Sequence, residues 1–250
     1  MRDLHVHTTY CDGKNTPEEM VLAAIEQGLD CIGFSAHAYM EHDHSYCIKK
    51  EDIEKYKAEI RALKEKYKDD IIVLCGVEQD IFSCESTDGY DYVIGSVHYV
   101  REGIPALCLD DTEELFAEVA EIYFGGDFYA MAEEYYKTVS QLPEKVQPDI
   151  IGHFDIITKY NEGGRYFDES HPRYVAAYKA AVDSLVECGV PFEVNTGAVS
   201  RGYKTQPYPA KPIFDYIVEK GGDFIFSGDA HSTEGLCYQF EKWEKEYITN

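Results

Sequence analysis

Short apolar runs alternate with longer amphipathic stretches along the whole chain. The first apolar run covers residues 4–6. Thr16-Pro17-Glu18-Glu19 then reads as a helix start, with a capping Thr, a Pro in the first turn and a Glu three residues after the cap. Met20, Val21, Ala24 and Ile25 recur at helical spacing, and Gly28 is placed to end that helix. Residues 31–34 form the second strand candidate. Ile53, Tyr56, Ile60, Leu63 and Tyr67 repeat at three and four, predicting a helix over 51–68. The uninterrupted apolar run at 71–77 suits a parallel strand covered on both faces. Residues 92–97 make a fourth strand. The stretch 110–145 carries two helical patterns split at Gly125-Gly126. Strands at 150–151, 192–194 and 224–226 follow, interleaved with helices marked by Tyr174, Tyr178, Ala181, Val182 and Leu185 and by residues 213–218.

Seven strand signals separated by helical ones imply βα units and a parallel sheet. No linker, composition shift or internal repeat interrupts the pattern, so residues 1–250 are read as one domain. A closed or nearly closed α/β barrel fits the strand count better than an open sheet.

Polar residues close the apolar runs in a regular way. Strand one reads Leu4-His5-Val6-His7. Period two predicts that both imidazoles point one way while Leu4 and Val6 point the other. The next runs end in Ser35-Ala36-His37, Val77-Glu78, Ser96-Val97-His98, Gly152-His153 and Asp229-Ala230-His231. The C-terminal rim of a parallel α/β sheet is where sites are built. Each residue alone is compatible with an ordinary structural role, but neither a core nor a surface requires so many ionisable groups on one rim. Clustered His, Asp and Glu without sulfur suit Zn, Mn or Fe, so a polynuclear divalent-metal site is expected.

Charge narrows the partners. The chain has 47 acidic and 23 basic residues, a formal net charge of −24. Such a surface repels nucleic-acid backbones and anionic lipid, so neither is an expected partner, while a localised cationic site in a cleft, supplied by bound metal ions, stays open. No apolar run approaches the ~18 residues of a membrane span. The strand pattern begins at Asp3, so no export signal is expected, and the eight scattered cysteines read as reduced thiols of a cytoplasmic protein.

Taken together, Asp3-Leu4-His5-Val6-His7-Thr8, Cys11-Asp12-Gly13, Ser35-Ala36-His37, Glu78, Gly95-Ser96-Val97-His98, Gly152-His153 and Ser227-Gly228-Asp229-Ala230-His231 resemble the PHP (polymerase and histidinol phosphatase) superfamily. The resemblance implies a distorted seven-stranded, TIM-like (β/α) barrel with three divalent metal ions at the C-terminal rim. It implies a first metal on His5, His7, Glu78 and Asp229, a second on Glu78, His98 and His153, and a third on Asp12, His37 and His231. Glu78 would bridge the first two. The implied chemistry is attack of a metal-bound hydroxide on a phosphate monoester.

Gly152-His153-Phe154-Asp155, the basic Lys159, and Glu193-Val194-Asn195-Thr196 running to Arg201 are similar to the histidinol-phosphatase branch. That branch implies hydrolysis of L-histidinol phosphate, a histidine-biosynthesis step. Lys159 and Arg201 would clamp phosphate, and Asp155 would assist the leaving group or orient His153. Another small phosphate ester, a nucleotide or a phosphotyrosine remains the alternative substrate. Ala36 stands where many relatives carry an acidic residue, and Lys159 where an Arg is common. Loop residues such as Glu41 or Asp43 are candidates to meet an amine.

Overall fold

Each apolar run becomes one strand of a seven-stranded sheet in the computed structural model, which describes residues 1–101 and 108–248. The strands are β1 (Arg2–Val6), β2 (Cys31–His37), β3 (Ile72–Asp80), β4 (Tyr92–Ser96), β5 (Ile150–Ile151), β6 (Phe192–Asn195) and β7 (Phe224–Ser227). They pair in sequence order and every pair is parallel. A parallel bridge between Val6 and Ala230 brings the chain beyond β7 back onto β1. The barrel is thereby nearly closed.

The helices are α1 (Pro17–Glu26), α2 (Ile53–Lys66), α3 (Glu113–Phe124), α4 (Phe128–Val139), α5 (Leu142–Lys145), α6 (Pro172–Val186), α7 (Gly197–Ser200), α8 (Lys211–Glu219) and α9 (Phe240–Tyr247). The predicted capping box is present at α1: Glu19 N donates to Thr16 Oγ1 at 3.3 Å, and Thr16 N donates to Glu19 Oε2 at 2.8 Å. The helix α9 has no counterpart among the predicted elements. Its Trp243 and Tyr247 pack on Val194 and Phe214, covering β6 from outside. Their spacing from Phe240 is helical, so the signal was present in the sequence.

Two layers of side chains fill the barrel. Near the N-terminal ends, Leu4, Cys31, Tyr92, Ile94, Ile150 and Ile225 form an apolar floor, with Leu74 packed against it. Further along the same inward faces stand Ser35, His37, Glu78, Ser96 and Ser227, joined at that level by Glu193 and Asn195 of β6. One inward face of each strand is therefore apolar below and polar above. The Tyr92 hydroxyl crosses the floor to the carbonyls of Leu4 (2.6 Å) and Phe34 (3.1 Å). Glycine is required beneath it, because a Cβ at Gly76 would lie 2.3 Å from the tyrosine ring and one at Gly33 2.5 Å from its hydroxyl.

The structure departs from simple alternation in β1. Asp3 pairs with Ile32 and Val6 with Phe34, so β1 carries one extra residue in that interval. This bulge turns both Leu4 and His5 inward. Leu4 joins the floor, while Val6 packs outside with Met20, Phe34 and Tyr56. The expectation that Leu4 and Val6 share a face is corrected accordingly. Strands β2 and β3 also run past their apolar segments, because His37 pairs with Glu78 and Asp80 with Ser96 across the sheet. Ladder hydrogen bonds, not hydrophobicity, set those ends.

Candidate metal centre

Glu78 lies at the middle of the polar layer and is only 1% exposed. Its Oε1 stands 2.9 Å from His153 Nε2 and 3.3 Å from His98 Nε2. Its Oε2 stands 2.9 Å from His37 Nδ1, 3.1 Å from His5 Nε2 and 3.5 Å from His7 Nε2. Asp229 approaches from the far side, with Oδ1 3.2 Å from His7 Nε2 and 3.8 Å from His5 Nε2. Asp12 reaches His231 Nε2 at 3.0 Å and His37 Nε2 at 3.7 Å. All nine donor residues expected from the sequence thus meet at one rim.

Their grouping is more interleaved than the expected assignment. Three sets have donor atoms mutually within 4.8 Å: His7, Asp12, His37 and His231; His5, His7 and Asp229; and His37, Glu78 and His98. His7 and His37 each belong to two sets. Close ring packing explains this, since the His7 ring is tilted against His37 with centroids 4.3 Å apart and stacked on His231 at 4.2 Å.

Buried carboxylates that the sequence reading did not single out fix the rings. Glu193 Oε1 accepts from His5 Nδ1 at 2.7 Å, and its Oε2 accepts from the His153 backbone N–H at 2.9 Å. Asp80 Oδ2 accepts from His98 Nδ1 at 3.0 Å. Asp3 accepts from the backbone N–H groups of Gly228 and Cys237, each at 2.9 Å, tying β1 to the chain after β7. Period two was the available signal: Asp80 shares a face with Glu78, and Glu193 is a charged residue within an apolar run. Asp229 takes a left-handed backbone conformation (φ 46°), a strain of about 1–3 kcal/mol, as it turns toward the cluster.

These hydrogen bonds decide the tautomers. With Nδ1–H committed to Glu193, neutral His5 turns the Nε2 lone pair toward Glu78; His98, committed to Asp80, does the same. A lone pair facing a carboxylate at 3.1–3.3 Å is repulsive unless a proton or cation lies between. His5 Nε2, His7 Nε2 and Glu78 Oε2 are buried without a hydrogen-bond partner among the described residues. The donor set therefore fits divalent metal ions.

The electrostatics agree. Burial works against charge on His5 and His98, yet Glu193 and Glu78 around the first, and Glu78 and Asp80 around the second, hold both pKa values well above the ordinary one. Burial and the neighbouring His231 and His37 push His7 down to about 3. Burial alone would raise Glu78, but His37, His5 and His98 hold it well below the carboxylate range. Replacing Glu193 by Gln is expected to weaken metal affinity about 10–100-fold, since it loosens both His5 and His153. Competition titration against a chromogenic chelator measures this; unchanged affinity would show that Glu193 does not orient the ligands.

The other expected site residues divide. Arg201 lines the cleft over the cluster, with Nη1 3.2 Å from Asp229 O and Nη2 3.3 Å from Asp229 Oδ2. Lys159 lines the same cleft, where its ammonium donates to the Asp110 carbonyl and lies 4.7 Å from the Tyr203 ring centroid. Asp155 is placed elsewhere. It is fully buried, its Oδ2 accepts from Ala210 N at 3.0 Å, and its Oδ1 has no hydrogen-bond partner among the described residues. Neither oxygen bonds to His153, so the expected orienting contact is corrected: the β5 end turns the carboxylate toward the chain before α8. Burial pushes its pKa up to about 6, against the pull of Lys204.

Comparison with known proteins agrees with this geometry. The chain is 31% identical to a "Probable histidinol-phosphatase" of Deinococcus radiodurans, covering 98% of this chain and 91% of that protein. It is 27% identical to the histidinol-phosphatase of Bacillus subtilis, covering 96% and 97% respectively. Among solved structures, HisK of Listeria monocytogenes shares the fold with a TM-score of 0.82 at 21% identity, over 97% of this chain and all of that one. Histidinol phosphate phosphatase of Lactococcus lactis, solved with zinc, L-histidinol and phosphate, gives 0.69 at 22% identity, over 93% of this chain and 86% of that one. The PHP domain family matches residues 3–197, which hold seven of the nine converging donors, and the chain belongs to that family.

Proposed function

We propose that this protein is a divalent-metal-dependent phosphomonoesterase that hydrolyses L-histidinol phosphate to L-histidinol and phosphate. The observation that carries the chemistry is the convergence of five imidazoles on the buried Glu78, with unpartnered donor atoms turned toward it. The substrate follows from the histidinol-phosphatase relatives aligned over nine-tenths or more of both chains. Three overlapping donor sets support three ions, drawn from Zn, Mn or Fe. His5, His7, Glu78, Asp229, His98, His153, Asp12, His37 and His231 would hold them. Bound divalent ions supply Lewis-acid stabilisation of phosphoryl charge and lower the pKa of water.

The chain's own residues do the rest. Arg201 presents guanidinium N–H groups to the cleft beside Asp229, a fork suited to phosphoryl oxygens. Lys159, paired with Asp110, adds a second cation to the lining of the same cleft. Glu193 and Asp80 hold His5 and His98 in fixed tautomers. The cleft encloses about 250 Å³, below the ~300–1,000 Å³ typical for drug-sized ligands, which favours a small ester. The surrounding charge of −24 disfavours a polyanionic substrate.

Phosphate release by protein loaded with Mn²⁺ or with Zn²⁺ tests the reading. L-Histidinol phosphate is expected to exceed a nucleoside monophosphate, phosphotyrosine and phenyl phosphate by ~10²-fold or more in kcat/KM. Equal rates on all four would retain a metal phosphatase and remove the substrate assignment.

A further inference from the structure

The cleft over the metal donors continues outward along a wall that includes Asp43, Tyr46 and Asp110. The Tyr46 ring stands edge-on to His37, with centroids 4.8 Å apart, so this wall begins directly beside the donors. Arg201 and the donor cluster occupy the inner end, which is where a phosphoryl group belongs. The outer wall is then left for the alcohol that departs.

The acids lining that wall differ: Asp111 is exposed, whereas Asp43 and Asp110 are half-buried. Asp110 is already neutralised: Lys159 donates to its carbonyl and lies 3.5 Å from its Oδ2. Asp43 has only neutral donors. Its Oδ1 accepts from Ser45 N (3.0 Å) and Ser45 Oγ (2.6 Å), and its Oδ2 accepts from Tyr99 Oη (3.0 Å). No cationic side chain pairs with it among the described residues.

Proton direction sharpens the picture. A carboxylate only accepts, so the single hydroxyl proton of the buried Tyr99 goes to Asp43. Tyr99 Oη also lies 3.0 Å from Tyr46 Oη, so the Tyr99 hydroxyl ties Asp43 and Tyr46 into one wall. An acidic side chain without a cationic partner among the described residues thus lines the cleft. Such a surface favours a ligand with N–H donors and positive charge and leaves a neutral alcohol with unmatched acceptors.

We infer that Asp43, held by Tyr99 and Ser45, is the specificity-determining residue that takes the ammonium group of the leaving alcohol. The inference deepens the reading of the cleft as a small-monoester site and rests on it.

The test compares L-histidinol phosphate with 3-(imidazol-4-yl)propyl phosphate, which lacks only the amine, and with phenyl phosphate. Wild type is expected to favour the amine-bearing ester by ~10–100-fold in kcat/KM, the range for one charge-assisted hydrogen bond. Asp43→Asn is expected to bring that ratio close to one, the loss falling on KM, with phenyl phosphate within about 3-fold of wild type. Bound metal, read by elemental analysis, is expected to be unchanged. Should Asp43→Asn fold poorly, Tyr99→Phe keeps the carboxylate but frees it, and a partial loss of the same ratio is expected. The inference is overturned if wild type shows no preference for the amine, if either folded variant keeps the full preference, or if phenyl phosphate declines equally. A wild type that prefers the amine yet splits L-histidinol phosphate no better than phenyl phosphate would remove the substrate assignment and leave Asp43 in place.

Discussion

Replacing Glu78 by Gln is expected to lower kcat/KM for any phosphate monoester by ~10³-fold or more and to reduce bound metal. Loosening a residue that merely orients a ligand costs about 10–100-fold in metal affinity or activity, and Glu78 itself faces five imidazoles. Glutamine keeps the shape but removes the charge and one acceptor. Stability is expected to fall as well in the metal-free protein. There, the carboxylate is the common counter-charge for His5, His37 and His98, whose pKa values are raised. Breaking a buried charge pair by removing one partner costs about 3–5 kcal/mol. Elemental analysis, steady-state kinetics and urea unfolding of the metal-free variant read the three effects separately. A Glu78→Gln protein with normal metal content and normal turnover would remove this carboxylate from the centre.

Chelation is expected to abolish phosphate release and to lower the thermal midpoint. An ion present at about 100 times its dissociation constant stabilises the folded state by about 2.7 kcal/mol. For a chain of this size, 1 kcal/mol corresponds to about 2–4 °C, so each ion lost is expected to cost about 5–10 °C. Restoring Zn²⁺ or Mn²⁺ is expected to recover both properties. The pH dependence has a definite sign. Held well above the ordinary imidazole value, His5 and His98 keep protons near neutrality in the metal-free protein, and ligation requires those protons to leave. Apparent metal affinity therefore falls as pH falls, by up to about tenfold per pH unit for each proton displaced. Proton release on metal addition, measured in weakly buffered solution, checks it. A chelated protein with unchanged midpoint and full activity would refute the metal centre.

Most of the donor set was legible before any coordinates, for a simple reason. In a parallel barrel each strand delivers its last inward residue to the same rim, so a polar residue closing an apolar run already has an address. His5, His7, His37, Glu78, His98, His153, Asp229 and His231 were found this way. The polar residues that support them were less visible. Asp80 lies beyond the apolar run that marked β3, and only the ladder pair with Ser96 shows that the strand continues to it. Glu193 stands in β6, yet its contact with His5 in β1 crosses the barrel and spans a separation of 188 residues. Asp155 shows the opposite failure, because its place in a His-Phe-Asp run suggested chemistry that the local turn directs away from the cleft.

By itself, the sequence determined the order of the seven strands, the parallel architecture and the residue types that close each strand, because those follow from periodicity and from residue type. The tertiary structure alone decided the bulge that turns Leu4 inward, the sharing of His7 and His37 between donor sets, the carboxylates that select the tautomers of His5 and His98, and the meeting of Tyr99 with Asp43 and Tyr46. Each of these is a distance between residues far apart in the chain. Barrel closure and ring packing set such distances, and no local pattern along the chain encodes them.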